Sequence, residues 1–115
     1  MPLINKTKKK LIIGKVKLAK TRAERMRGLM FSRRPGHALI LCMPKESRIG
    51  SAIHMMFVFY PIDVLFLNSK KRIVDRVLAL RPFALNYVPK RAAKYVVELP
   101  EGLGKKAGIG DLLQW

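Results

Sequence analysis

His54 and Asp63 are the only basic or acidic side chains, the Tyr60 phenol apart, in the most apolar part of the chain, Ile53–Asn68, which reads IHMMFVFYPIDVLFLN. An imidazole and a carboxylate from adjoining extended segments can pair, and such a pair can orient a base or tune a proton near neutral pH. A buried charge without a partner costs several kcal/mol, so each group has to be paired, solvated or used. His54 and Asp63 are therefore the candidate ligand-binding residues. The plainer alternative is that Asp63 accepts backbone amides or an arginine and fixes the strand corner after Pro61.

Other chemistry finds less support in the residue types. Neither a serine nor the single cysteine sits beside a histidine in a nucleophile motif. Cys42 lies in an apolar run, where a thiol acts as a small hydrophobe with a raised pKa. With His37, His54 and Cys42 as the only soft nitrogen and sulfur ligands besides methionine, no zinc spacing occurs, and no metal is expected. Met43, Met55 and Met56 could join Cys42 and His54 around a cuprous ion, but methionines in apolar strands are normally core filler. The glycines form neither a phosphate loop nor a dinucleotide fingerprint, so no cofactor is expected. Glu98 is assigned to structure, paired with a nearby Lys or Arg, and Asp111 to accepting amides of the Gly110 turn.

The elements that must position these residues are mostly strands. Residues 1–10 read as a basic tail and 11–115 as one domain. Leu11 to Leu18 alternates in part between apolar residues and lysines, as an edge strand would. Thr21 and Glu24 form a Thr-x-x-Glu capping box that opens a helix. Ala23, Met26, Leu29 and Met30 should face the core along it, until Arg33-Arg34-Pro35-Gly36 stops it. Ala38 to Met43 reads as a strand buried on both faces. Ser51 to Phe59 and Ile62 to Leu67 read as two strands broken at Tyr60-Pro61, and Arg72 to Leu80 as the partner of a hairpin. Ala93 to Leu99 is a further strand, Pro100 to Ala107 one helical turn, and Leu112 to Trp115 a return to the sheet. The sum is a mainly β single domain, a sandwich or barrel of about seven strands with one or two short helices.

Composition bounds the function. The chain has 115 residues, half of them apolar, which suits one domain with one core. Its longest apolar run, Met55 to Ile62, is far short of the ~18–20 residues of a membrane span. Lys8-Lys9-Lys10 precedes only Leu11-Ile12-Ile13, too short for the core of a signal peptide, and one cysteine cannot form an internal disulfide; a cytoplasmic protein is expected. Twenty-four Lys and Arg against seven Asp and Glu give a formal charge of +17. Such an excess suggests a polyanion or an acidic partner, or else a heat-adapted surface poor in Asn and Gln. The basic residues fall in scattered clusters, with no aromatic interleaved at stacking spacing.

Four blocks then line up with a known pattern. Thr21, Glu24-Arg25 and Gly28-Leu29-Met30 spell T-x-x-E-R-x-x-G-L-M. Ile53-His54-Met55 and Pro61-Ile62-Asp63-Val64-Leu65-Phe66 spell I-H-M-x5-P-I-D-V-L-F. Val97-Glu98-Leu99-Pro100-x-Gly102 and Gly110-Asp111 complete the set. This resembles a widespread prokaryotic family known as domain of unknown function 192, over about Val16 to Trp115. The resemblance implies a compact β-rich fold with a short helix near the N-terminus, and no substrate. It casts Thr21, Glu24, Arg25, Gly28, Pro61, Glu98, Gly110 and Asp111 as a structural motif. Many relatives carry Trp-Met-Lys-Asn where His54-Met55-Met56-Phe57 stand here, so a function needing that Lys or Asn is not expected of this chain. The charge of +17 is likewise not a family trait.

Three functions follow as expectations. The first is a non-catalytic intracellular module that binds a small ligand or a protein partner near His54 and Asp63. The second is electrostatic nucleic-acid binding through the basic surface, and the third an enzyme using His54 and Asp63 as an acid-base pair. No membrane association is expected.

Overall fold

The computed structural model describes residues 1–115 and contains eight strands in two sheets. In chain order they are β1 (Leu3–Asn5), β2 (Lys10–Ile13), β3 (Val16–Ala19), β4 (Ala38–Ser47), β5 (Ile62–Leu67), β6 (Ile73–Leu80), β7 (Ala93–Pro100) and β8 (Leu113–Gln114). A five-stranded sheet runs β3-β4-β7-β5-β6, and a three-stranded one runs β2-β1-β8. All pairings are antiparallel except β3 with β4. A parallel pair cannot be closed by a hairpin, so the chain must cross over a sheet face between its two strands. The Lys20–His37 segment makes that crossing and carries the one α-helix, α1 (Arg22–Arg27). The mainly β architecture read from the sequence is the architecture observed.

Both faces of the larger sheet are covered, and the core is correspondingly divided. On one face Leu39, Leu41, Val64, Phe66 and Val96 pack under Leu29 and the Ile53–Tyr60 segment. On the other, Ala38, Ile40, Leu65, Val97 and Leu99 pack against Leu3, Ile12 and Leu113 of the small sheet. This explains why β5 is an unbroken apolar run apart from Asp63. Every one of its residues is buried, and a strand covered on both sides has no solvent face to alternate with.

Several local expectations are corrected. Residues 1–10 are no tail: Leu3 and Asn5 are fully buried, and β1 is the centre of the small sheet. Leu11 to Leu18 is two strands in different sheets, broken at Gly14-Lys15. The capping box forms as expected, with the Glu24 amide donating to Thr21 Oγ1 and Glu24 accepting from the Thr21 amide. The helix is only six residues long, however, and buries none of them; Met26 is 65% exposed. Gly28, at φ +49°, ends it, and of the expected stripe only Leu29, beyond the helix, is buried. Ser51–Phe59 is not a strand. It alternates buried and exposed residues as a strand would, but it has only an isolated bridge, Ile53 to Tyr87, and closes a turn through the Val58 amide to the Met55 carbonyl. Its apolar side chains roof a sheet without joining its ladder.

Candidate ligand site

Asp63 and Glu98 stand one register step apart on neighbouring strands. Asp63 is opposite Leu99, and Val64 is opposite Glu98. Because side chains alternate across a strand, that single step places the two carboxylates on opposite faces of the sheet. Asp63 shares its face with Leu65 and Leu99, and Glu98 shares its own with Val64 and Val96.

Asp63 is wholly committed. Its Oδ1 accepts from the Ala79 amide at 2.8 Å, and its Oδ2 accepts from the Gly102 and Gly104 amides, each at 2.8 Å. Gly104 lies in the 3-10 turn (Leu103–Lys106), so the carboxylate ties that turn and the bulge of β6 to the start of β5. His54 lies elsewhere. It is exposed, its Nδ1 accepts from the Met56 amide at 3.2 Å, and it borders a cavity on the Glu98 side of the sheet. Neither a hydrogen bond nor an ion pair joins His54 to Asp63. The expected pair is not formed, and the reason is the strand period: Asp63 points away from the side on which His54 sits.

That cavity has a volume of about 330 Å³. One wall is the crossing segment, with Arg22 and Arg25 to Met30; the other is Gly50, Ala52 to His54 and Val58. Leu41, Met43 and Glu98 form the floor from the sheet. Three of the four motif blocks thus meet at one place. Glu98 was expected to pair with a Lys or Arg, and it does not. It is 5% exposed, its Oε1 has no hydrogen-bond partner, and the protein's single ion pair is Lys8 with Asp111. Its strand neighbours are Leu39 and Val64, so nothing beside it replaces the water lost on folding. Burial raises the Glu98 pKa to about 7.

The rim is cationic. Arg22, Arg25 and Arg27 contribute to the wall, and His54 stands opposite them. Arg25 is held in place by donating to the Lys20 and Cys42 carbonyls. The Met56 amide on Nδ1 of His54 leaves Nε2 to carry the proton in the neutral ring. Gly28 matters for access: a Cβ there would lie 3.5 Å from Glu98 Oε1. A second, more open cavity of about 520 Å³ shares Arg27, Gly28 and Leu29 with the first, and Lys17, Arg33, Arg34 and His37 are among its lining residues. The His37 pKa is lowered by burial and then by Lys17 and Lys15.

Asp111 of the Gly110-Asp111 block lies away from the cavity. Asp111 accepts from the Gly108 amide and Asn5 Nδ2, both at 2.9 Å, and pairs with Lys8 at 3.2 Å. Burial would raise its pKa, but those partners together hold it below the usual value. Asp75 went unremarked as a site and is equally satisfied, by the Tyr87 hydroxyl and the Lys90 and Arg76 amides. The signal that could have picked out Glu98 was present in the sequence. Val96-Val97-Glu98-Leu99 puts a carboxylate inside an apolar strand just as Ile62-Asp63-Val64 does.

Comparison with known proteins agrees with the resemblance in the motifs. A "UPF0127 protein" of Pyrococcus abyssi (strain GE5 / Orsay) is 47% identical over 98% of this chain and 96% of its own length. One from Thermococcus sibiricus is 45% identical over 98% of this chain and 73% of its own length. These relatives come from thermophilic archaea. Among solved structures, a protein of unknown function from Novosphingobium aromaticivorans superposes with a TM-score of 0.83 at 21% identity, covering 100% of this chain and 84% of that one. A proposed transcription regulator from Sinorhizobium meliloti 1021 superposes with a TM-score of 0.84 at 24% identity, covering 98% and 89%. These two likenesses speak for the fold alone. No helix here is long and apolar enough to cross a membrane. The model of the DUF192 family, described as "Uncharacterized ACR", matches residues 3–115, and the chain belongs to that family.

Proposed function

We propose that this domain is a binding module whose ligand is a small molecule with an anionic group and a neutral polar head, seated in the Glu98 cavity. The observation that carries this reading is the buried, unpartnered Oε1 of Glu98 on the cavity floor. A buried oxygen without a partner costs free energy that a ligand's hydroxyl or amide hydrogen would recover. With its pKa near 7, the carboxyl can serve as donor or acceptor at neutral pH. Arg22 and Arg27 on the wall suit a carboxylate or phosphate entering behind that head. Apolar Leu29, Leu41, Met43 and Val58 would take up the ligand's carbon frame, in the usual manner of sites with few polar anchors.

The test is a thermal-shift screen against small hydroxy acids, acylated amino acids and phosphate esters. A ligand that prefers the native state raises the melting temperature, by about 2.7 kcal/mol of added stability at a hundred times Kd. The expected result is a saturable shift that Glu98→Leu and the double variant Arg22→Ser/Arg27→Ser each remove. Shifts that persist in both variants would place the ligand elsewhere and defeat the proposal.

A further inference from the structure

Phe31, Phe57, Phe59 and Phe83 come from three separate segments and gather into one exposed cluster. The Phe31 and Phe57 rings stack at 4.7 Å between centroids, Phe57 meets Phe83 edge-on at 6.1 Å, and Phe83 meets Phe59 edge-on at 5.2 Å. The two end rings, Phe31 and Phe59, are 66% and 62% exposed. Sequence spacing could not show this, because no two segments of the cluster are adjacent in the chain.

The cluster is held in place at a cost. Phe31, Phe57 and Phe83 have φ of 58°, 58° and 61°, a region that bulky L residues avoid. Main-chain bonds brace them: the Phe31 amide donates to the Phe57 carbonyl at 2.9 Å, and the Phe83 amide to the Met55 carbonyl at 2.8 Å. Burial accounts for only part of this strain, since Phe57 and Phe83 keep 39% and 41% of their surface in solvent and Phe31 far more. Backbone strain that supports exposed groups is characteristic of recognition sites.

The surroundings are cationic. Arg33 and Arg34 follow Phe31 closely and are exposed; the Arg34 guanidinium lies 5.9 Å from the ring of Tyr60, whose hydroxyl donates to the Arg33 carbonyl. Arg81 is exposed in the turn that presents Phe83. None of these arginines is in an ion pair. Of the seven acidic residues, Asp63, Asp75, Glu98 and Asp111 are buried. Of the other three, Glu24 caps α1, Glu46 accepts from the Ser69 amide beyond β5, and Glu101 precedes the 3-10 turn. None of these carboxylates forms an ion pair with Arg33, Arg34 or Arg81, although Glu24 lines one cavity with Arg33 and Arg34.

We infer that this surface binds single-stranded nucleic acid, with bases stacking on Phe31 and Phe59 and phosphates meeting Arg33, Arg34 and Arg81. The inference is independent of the Glu98 cavity. Stacking on aromatic faces beside a cationic track is how single strands are held without sequence preference. A duplex keeps its bases stacked on one another and has none to offer the rings. Fixed, braced rings suit stacking better than insertion into lipid, where Trp and Tyr predominate.

The test is fluorescence anisotropy of the full chain with labelled twelve-nucleotide oligo-dT and oligo-rU, a twelve-base-pair duplex, and vesicles of phosphatidylglycerol and phosphatidylcholine. Both single strands should bind more tightly than the duplex. Phe31→Ala and Phe59→Ala should each weaken single-strand binding about tenfold, and Phe59→Leu should do the same while Phe59→Trp restores it. Replacing Arg33 and Arg34 by Ser should flatten the salt dependence by about 0.7 per lost phosphate contact in log K against log salt. Unchanged melting temperatures would show that the variants are folded, and Phe59→Trp supplies a folded control should the alanine variants lose stability. The inference is overturned if the duplex binds as well as the single strands with the Phe variants unchanged. Binding to the vesicles alone, with Phe59→Leu equal to the wild type, would overturn it equally.

Discussion

Asp63 and Glu98 are two buried carboxylates on neighbouring strands of one sheet, with opposite fates. Asp63 faces the 3-10 turn and accepts three backbone amides. Glu98 faces the crossing segment and accepts none at Oε1. On the first face, folded backbone wraps round the charge, and the carboxylate organises the loops that satisfy it. On the second, a short helix stopped at Gly28 leaves a gap, and the carboxyl is left for something else to satisfy. A buried acid in an apolar strand is thus an ambiguous sign. What separates structure from site is whether the next layer brings amides or a cavity.

The sharpest way to break that contrast is to remove each acid in turn. Asp63→Ala orphans the Ala79, Gly102 and Gly104 amides together. It should cost about 3–5 kcal/mol of unfolding free energy, measured by guanidinium denaturation. A loss under about 1 kcal/mol would mean that Asp63 is not the organiser of these loops.

Glu98 should behave in the opposite sense, and its effect should depend on pH. The unfolded chain ionises Glu98 near 4.5 and the folded chain near 7. Between those values folding takes up a proton, so this residue's contribution to stability falls as pH rises and levels off above 7. The whole change is about 3 kcal/mol. Glu98→Gln cannot titrate. It should match the wild type near pH 4 and exceed it at pH 8, with the difference growing across that window in paired denaturation curves. A difference that does not vary with pH would mean that Glu98 is solvated after all.

Much of this frame was legible in the residues. The Thr21 capping box, β5 to the residue, and the hairpin of β5 with β6 follow from local spacing, because capping and strand alternation are short-range physics. The facing of Asp63 was not legible relative to His54, since it depends on which layer covers which side of β5. Ser51–Phe59 misled for a related reason: an apolar run suits a ladder strand and an irregular roof alike, and only hydrogen-bond partners tell them apart. Glu98 was lost to an assumption. In a chain with 24 Lys and Arg, an acid is expected to find a cation, but Glu98 sits between Leu39 and Val64 where none reaches. The phenylalanine cluster needed three distant segments to converge.

The smallest expected effect sharpens the comparison most finely, because each carboxylate touches a glycine. A Cβ on Gly104 would sit 2.7 Å from Asp63 Cβ and 2.9 Å from Leu78 Cδ2, contacts that close packing does not allow. A Cβ on Gly28 would meet Glu98 Oε1 at 3.5 Å, an ordinary contact, so there the penalty comes from the backbone at φ +49°. Gly104→Ala should therefore cost about 1–3 kcal/mol by overpacking, and Gly28→Ala about 1–3 kcal/mol by strain at φ +49°, ψ −125°, a combination that residues with a Cβ rarely adopt. The two should also differ in kind. Gly104→Ala should leave thermal shifts from cavity ligands intact, whereas Gly28→Ala narrows the approach to Glu98 and should weaken them. If Gly104→Ala reduced ligand binding as much as Gly28→Ala does, the two faces of the sheet would be coupled and the division of labour between its carboxylates would fail.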